Sequence, residues 1–319
     1  TTFAYYRFKA GKEWRITNRN CKTGRAQRDA PSSINNAGMS LLVAGSLHLD
    51  VVLRAPYLPK LDETVAGSSV DYVFGGKGGN QAISAARMGA TVHFAGRAGS
   101  DLFGDMIRET LTASGVEVSQ LQRDVGPSGM SAAIVDANGE YGAVIISAAN
   151  LNIVATDINI PQKTSLVILQ NEIPEKVNLT LAHKAKAAGA KVWLNAAPAR
   201  ELPKNLVEAV DLLIVNRVEA EFYSDSIPAK SVLTTLGARG VYYNNVLYAG
   251  LLVDVVSTHG AGDMFVGTLA GQVVRGKSMA DAIRFAQAAA ALHVSCQLDR
   301  RKDINPQSVK TFLENQDNL

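Results

Sequence analysis

The chain predicts an α/β fold: a doubly wound, mostly parallel sheet flanked by helices, with a small second sheet beside it. Three observations carry this. Short apolar runs bounded by glycine or polar residues alternate with stretches of helical periodicity, the pattern of strand–helix–strand units with right-handed crossovers. Two glycine-rich turns, GGKGGN at 75–80 and GAGD at 260–263, each open a helix-like stretch. Asn138-Gly139, set between SAAIV (131–135) and AVIIS (143–147), marks a hairpin that stands outside the parallel repeat.

At 319 residues, 47% of them hydrophobic, the chain can bury a large core, as one big domain or a domain with a smaller appendage. Cys21 and Cys296 stand too far apart in sequence for a disulfide framework or zinc spacing, which fits a reducing cytoplasm. No apolar run reaches the roughly 18 residues that span a bilayer, so a protein without a membrane partner is expected. The net charge of +3 is unevenly placed. Residues 1–38 hold eight Lys or Arg against Glu13 and Asp29, a net +6, and leave −3 for the remainder. Tyr5, Tyr6, Phe8 and Trp14 are interleaved with that charge, which suits a nucleic-acid contact or a transit segment. The segment lacks periodicity and stops just before Met39, so it reads as an extension outside the fold, with 39–319 as the folded domain and no nucleic-acid partner.

The elements follow in order. SLLVAGS (40–46) is a buried parallel strand, and Leu47 to Asp50 lie at its carboxyl end, where open α/β sheets place ligands. Asp50 there is either a hydroxyl acceptor or a turn-forming residue. Strands are expected at 51–59 and 66–74, separated by Pro56, Pro59 and a charged turn. GGKGGN then starts a helix that runs to Met88 and stops at Gly89. Its glycines let a sugar-sized ligand approach the backbone, and Lys77 and Asn80 supply polar contacts. Thr91–Gly96 is a strand, followed by GRAGSDLFG and a helix to about Ser114. The Asn-Gly hairpin joins the 51–74 strands in the small sheet. SLVILQ (165–170), a helix over 174–188, KVWLN (191–195), DLLIV (211–215) and VLTTL (232–236) continue the parallel repeat. Their ends carry Glu172, Asn195, Asn216 with Glu219, and Thr235 with Gly237.

VSTHGAGDMF (256–265) is the chemical centre. Gly260, Ala261 and Gly262 bring backbone N–H groups to a helix N-terminus, whose unpaired donors and positive dipole end suit phosphate oxygens. Asp263 either takes a proton from an attacking hydroxyl or is an ordinary first-turn residue. GQVVRGKS (271–278) matches the phosphate-loop pattern GxxxxGK[ST] letter for letter. It lies inside helical periodicity, however, with Gly276 as a helix stop and Ser278 with Asp281 capping the next helix, which reaches about Val294.

GGKGGN, GRAGSDLFG, NRVE (216–219), TLGARG (235–240) and GAGD, in this order, resemble the ribokinase-like (PfkB) family of carbohydrate kinases, over about residues 40–296; LNAAPARELP (194–203) adds to the likeness. The resemblance implies a ribokinase-like fold and ATP-dependent phosphorylation of a sugar hydroxyl, with ribose or a related pentose as acceptor. It implies that Asp263 is the catalytic base and that Gly260, Ala261 and Gly262 form the anion hole. His48, Asp50, Gly76, Lys77, Gly78, Gly79, Asn80 and Glu172 would bind the sugar. Asn216, Thr235, Gly237, Gly240, Gly262 and Gln287 would hold ATP. Asn216 and Glu219 would organise Mg²⁺ through water. Strands near 51–74 and 128–147 would form a lid over the sugar, through which a homodimer pairs.

Two departures stand out. Ser257 occupies the place of an aspartate that ligates a monovalent cation in cation-activated members, and the later loop of that site reads SCQLDRRKD (295–303), which argues against K⁺ activation. His48 replaces an asparagine, leaving the exact sugar open. A nucleoside kinase, with Tyr72, Phe74 and Met130 against a nucleobase, and a catalytically idle sugar-binding protein are the alternative readings.

Overall fold

β1 (Ser40–Ala44) is buried along its whole length, as an uninterrupted apolar run in mid-sheet must be. The computed structural model describes residues 38–223 and 231–317, and in it β1 lies within a nine-stranded sheet. The basic segment assigned to 1–38 lies, apart from Gly38, outside the described residues.

In chain order there follow β2 (His48–Arg54), β3 (Ser69–Gly75), α1 (Lys77–Arg87), β4 (Thr91–Gly99), α2 (Leu102–Ala113) and β5 (Val116–Asp124). Next come β6 (Met130–Val135), β7 (Tyr141–Ile146), β8 (Thr164–Gln170), α3 (Glu175–Ala187), β9 (Lys191–Asn195), α4 (Lys204–Ala209) and β10 (Leu212–Asn216). The chain continues with α5 (Arg217–Tyr223), β11 (Val232–Thr235), β12 (Gly240–Tyr243), β13 (Val246–Ala249), α6 (Ala261–Val274), α7 (Met279–Ser295) and α8 (Pro306–Asp317).

The large sheet runs β13-β12-β11-β10-β9-β8-β1-β4-β5, parallel from β11 to β5, with β12 and β13 antiparallel at one edge. The small sheet runs β3-β2-β6-β7. One core layer packs α1 and α6 on one face of the large sheet, around Phe94, Phe265 and Leu269. The other packs α3 and α4 on the opposite face, around Leu169, Leu181 and Leu194.

Several elements differ from expectation. β2 starts at His48 and ends before Pro56, because proline cannot donate to a ladder. β5 has no counterpart among the predicted strands: its alternating, half-exposed pattern is that of an edge strand. β12 and β13 are four residues each and joined by Asn244 and Asn245, both at positive φ, a two-residue turn too short to show as periodicity. The phosphate-loop look-alike is helix end and cap: α6 continues to Val274, Gly276 takes φ 86°, and Ser278 accepts the Asp281 N–H at 3.1 Å to start α7.

α1 and α6 cross closely. Gly267 on α6 has no room for a side chain, since a Cβ there would collide with the carbonyl oxygen of Gln81 on α1. That approach sets the N-terminal turns of the two helices side by side.

Candidate active site

Gly260 caps α6 in the left-handed region at φ 77°, a conformation that costs other residues about 1–2 kcal/mol. The Ala261 N–H donates to the Thr258 carbonyl at 3.2 Å and the Met264 N–H to the Gly260 carbonyl at 2.9 Å. Among the described residues the N–H groups of Gly260 and Gly262 find no internal acceptor. A Cβ at Gly262 would meet no atom within 4 Å, so the end of the helix opens onto free space. Of the three predicted donors, two remain available to an anion.

Asp263, half-buried, faces this opening. Its Oδ1 accepts from Gln81 Nε2 at 2.9 Å and its Oδ2 from Asn80 Nδ2 at 3.4 Å. Gln81, fully buried, also donates to Asn195 Oδ1 at 3.0 Å and accepts from Gln170 Nε2 at 2.9 Å. The carboxylate can only accept, so the Gln81 amide has a single allowed orientation. Burial raises the Asp263 pKa; the charge of Lys77 and the Gln81 and Asn80 amides oppose that rise, and nearby Glu172 adds to it. A carboxylate held above its ordinary range but oriented by two amides suits proton abstraction near neutral pH.

A cavity of about 150 Å³ lies against this end of α6. Lys77, Asn195, Asn216, Glu219 and Thr235 border it together with 260–263. Three of these are the last residues of β9, β10 and β11, the sheet end where α/β proteins bind ligands. Asn216 Oδ1 accepts the N–H groups of Val218 (2.8 Å) and Glu219 (3.0 Å), while Glu219 accepts from the Asn216 N–H (2.7 Å) and Nδ2 (2.9 Å). This reciprocal cap fixes Glu219 at the cavity wall. Burial raises the Glu219 pKa, against the Asn216 N–H and Lys77.

The GGKGGN turn behaves differently from expectation. The N–H groups of Lys77, Gly79 and Asn80 are used inside the protein: Lys77 N–H goes to Glu172 Oε2 (2.9 Å), Gly79 N–H to the Ser46 carbonyl (3.0 Å) and Asn80 N–H to the Gly76 carbonyl (2.9 Å). The glycines serve close packing. Gly76 sits at φ 89°, and a Cβ there would lie 2.7 Å from the Ser46 carbonyl oxygen; at Gly78 it would meet the backbone of Gly45 and at Gly79 the Phe74 ring. The turn therefore offers the side chains of Lys77 and Asn80 and a bare backbone surface. Glu172 also accepts from the Ser46 hydroxyl and stands 3.9 Å from Lys77 Nζ.

On the small sheet, Asp50 accepts from the Ser131 hydroxyl at 2.6 Å and rests on Gly75. His48 is 7% exposed, and its Nε2 has no partner among the described residues. Gly237 (φ 61°) and Gly240 (φ 105°) shape the turn after β11 without bordering the cavity. Gln287 is also away from it and ties α7 to β13 through the carbonyls of Tyr248 (3.0 Å) and Ala249 (3.1 Å). Gln81 is the residue that sequence reasoning passes over. Its signal is a polar side chain one turn before Ala85 on a buried helix face.

The pfkB family carbohydrate kinase model matches residues 39–303. A ribokinase of Bacillus subtilis (strain 168) is 34% identical over 272 residues, covering 80% of this chain and 92% of its own. A ribokinase of Haemophilus influenzae is 32% identical over 302 residues, covering 86% and 98%. The structure of Arabidopsis thaliana ribokinase complexed with ribose and ATP superposes with a TM-score of 0.79 at 28% identity, over 86% of this chain and 99% of that one.

Proposed function

Because the chain belongs to the pfkB family of carbohydrate kinases, we propose that it transfers the γ-phosphoryl group of ATP to a hydroxyl of ribose or a closely related pentose. The observation that carries this is Asp263, half-buried, oriented by Gln81 and set beside the open N-terminus of α6. Asp263 takes the proton of the sugar hydroxyl as its oxygen bonds to the γ-phosphorus. The bond from that phosphorus to the bridging oxygen of ADP breaks with its electron pair staying on ADP. The Gly260 and Gly262 N–H groups, the helix dipole and Lys77 face the negative charge of the moving phosphoryl group. Asp50, Asn80 and Glu172 orient the sugar, and Asn216, Thr235 and Gly262 receive the nucleotide phosphates.

Magnesium bound with the nucleotide supplies charge neutralisation on the phosphates. The donor set fits an ion that arrives hydrated: Glu219, fixed by Asn216, and Asp263 are the carboxylates bordering the cavity, enough to hold a magnesium ion through its water but not to replace that water.

The small sheet serves as a lid, and its β7 leaves Tyr141, Val144, Ile145 and Ile146 more than half exposed, an apolar surface fitted to a second copy of the sheet. We place the protein in the cytoplasm, where ATP is the donor; among the described residues no helix is long and apolar enough to cross a membrane. The nucleoside reading is weaker because two of its aromatics are engaged: Phe74 packs on Gly79 and Tyr72 contacts Phe103 with ring centroids 6.1 Å apart. ADP formation against ribose, deoxyribose, fructose, adenosine and pseudouridine tests the proposal. Pentose-dependent turnover supports it, and turnover confined to nucleosides would replace it.

A further inference from the structure

After α7 the chain makes a short 3₁₀ helix, Leu298–Asp303, and one of its arginines points inward. Arg301 is 7% exposed. Its Nη1 donates to the His259 carbonyl at 2.9 Å and its Nη2 to the Ser257 carbonyl at 3.0 Å. None of the ion pairs among the described residues includes it. A guanidinium does not lose its proton at any ordinary pH, and burying one without a carboxylate is costly unless dipoles replace its water. Here the dipoles are two carbonyls of one turn. That turn continues directly into Gly260, Ala261, Gly262 and Asp263.

The same place is where the sequence departs from cation-activated relatives. Ser257 offers no carboxylate, and its hydroxyl accepts the His259 N–H at 3.4 Å. The His259 carbonyl also receives the Nε2–H of His293 at 2.9 Å; burial lowers the His293 pKa and keeps that ring neutral. A K⁺ ion needs several free carbonyl or carboxylate oxygens. These two carbonyls already face a fixed positive charge, so the residues present do not fit the ion.

We propose that the Arg301 guanidinium is a built-in replacement for a monovalent cation, fixing the Ser257–Gly260 turn so that the α6 N-terminus is held ready for the phosphoryl group without K⁺. Arg301 is a positioning residue: it acts through the carbonyls of Ser257 and His259 and touches no substrate. This inference rests on the kinase reading for its role in turnover, but the ordering of the turn is separately measurable.

The test compares the parent protein, Arg301→Lys and Arg301→Ala, in KCl and in tetramethylammonium chloride of equal ionic strength. The parent is expected to change less than about twofold between the salts. Arg301→Ala is expected to lose roughly 10- to 100-fold in kcat, the scale of one or two charge-assisted hydrogen bonds. Its sugar KM should stay nearly constant, and added guanidinium should restore part of kcat. Arg301→Lys should fall between the two. Hydrogen exchange over 257–264 in the nucleotide-free proteins reads the turn directly and should be faster in Arg301→Ala, slowing again with guanidinium, while the central strands keep parental protection. A parent stimulated tenfold by K⁺, or an Arg301→Ala protein with parental kcat and parental exchange over 257–264, overturns the proposal. If the parent turns over no sugar, the kinase reading fails, and exchange over 257–264 still decides whether Arg301 orders the turn.

Discussion

Gln81 Nε2 donates to Asp263 Oδ1 at 2.9 Å and to Asn195 Oδ1 at 3.0 Å, so one buried amide links α1, α6 and the end of β9. Replacing it with leucine leaves Asn195 Oδ1 and Gln170 Nε2 unpaired in the interior. We expect Gln81→Leu to lose about 1–3 kcal/mol of stability, the usual cost of orphaned buried polar groups. It should lose at least tenfold in kcat/KM as the carboxylate loses its fixed orientation. Thermal unfolding and steady-state kinetics on the same preparation separate the two effects.

The acidic limb of kcat/KM reports the free enzyme's base. Burial holds the Asp263 pKa above the ordinary aspartate value, so activity should fall with decreasing pH well before an exposed aspartate would protonate. Lys77 and Gln81 both favour the charged form. Removing either, in Lys77→Met or Gln81→Leu, should move the limb to higher pH. A limb that moved to lower pH in either variant would contradict the assignment.

The same shift has a stability consequence of opposite sense. A carboxyl whose folded pKa is raised binds its proton more tightly in the native state than in the unfolded one, so stability is lost as pH rises through that interval. Asp263→Asn removes this penalty. Its melting temperature at neutral pH should exceed the parent's, and the difference should shrink as pH falls from the raised native value toward the ordinary aspartate value and vanish below it.

Gly267 lies a full turn beyond Asp263, yet a Cβ there would collide with the Gln81 carbonyl. Gly267→Ala should separate α1 from α6 at a cost of about 1–3 kcal/mol, as for overpacked cores. It should also reduce kcat by disturbing the Gln81–Asp263 contact.

Much of this was legible in the residues because the parallel strands are short apolar runs with polar ends. Asn195, Asn216 and Thr235 fall at those ends in both sequence and structure. The helix start at Gly260–Asp263 was legible from its small residues, but a glycine turn with a first-turn aspartate is also an ordinary cap, so the role of Asp263 came only from the family resemblance. What sequence hid is long-range. The pairing of Gln81 with Asp263 spans 182 positions, and nothing local to GGKGGN reveals that its N–H groups are used internally by Glu172 and Ser46. Arg301 is likewise indistinguishable from Arg300 and Lys302 in sequence; only the fold shows that it alone of the three is buried. β12 and β13 escaped because they are antiparallel strands at the sheet edge, outside the strand–helix repeat that marked the equally short β11.

β7 exposes Val144 and Ile145 by 64% and 66%, so their apolar side chains have little cover among the described residues. Ile145→Asp should convert a dimer into a monomer in sedimentation velocity while leaving the melting temperature of the large-sheet core nearly unchanged. A parent that sediments as a monomer at all accessible concentrations would remove the lid-pairing proposal.

On the proposed reading, Asp263 is the base in phosphoryl transfer from ATP to a pentose hydroxyl. The most direct measurement is phosphorus NMR of the protein with ATP, Mg²⁺ and ribose, run in parallel for the parent and Asp263→Asn. A sugar-phosphate resonance should grow one-for-one with ADP in the parent. The rate should be lower by about 10²–10⁴-fold in Asp263→Asn, the range for losing a general base. ADP appearing without a sugar phosphate, or an Asp263→Asn protein as fast as the parent, would contradict it.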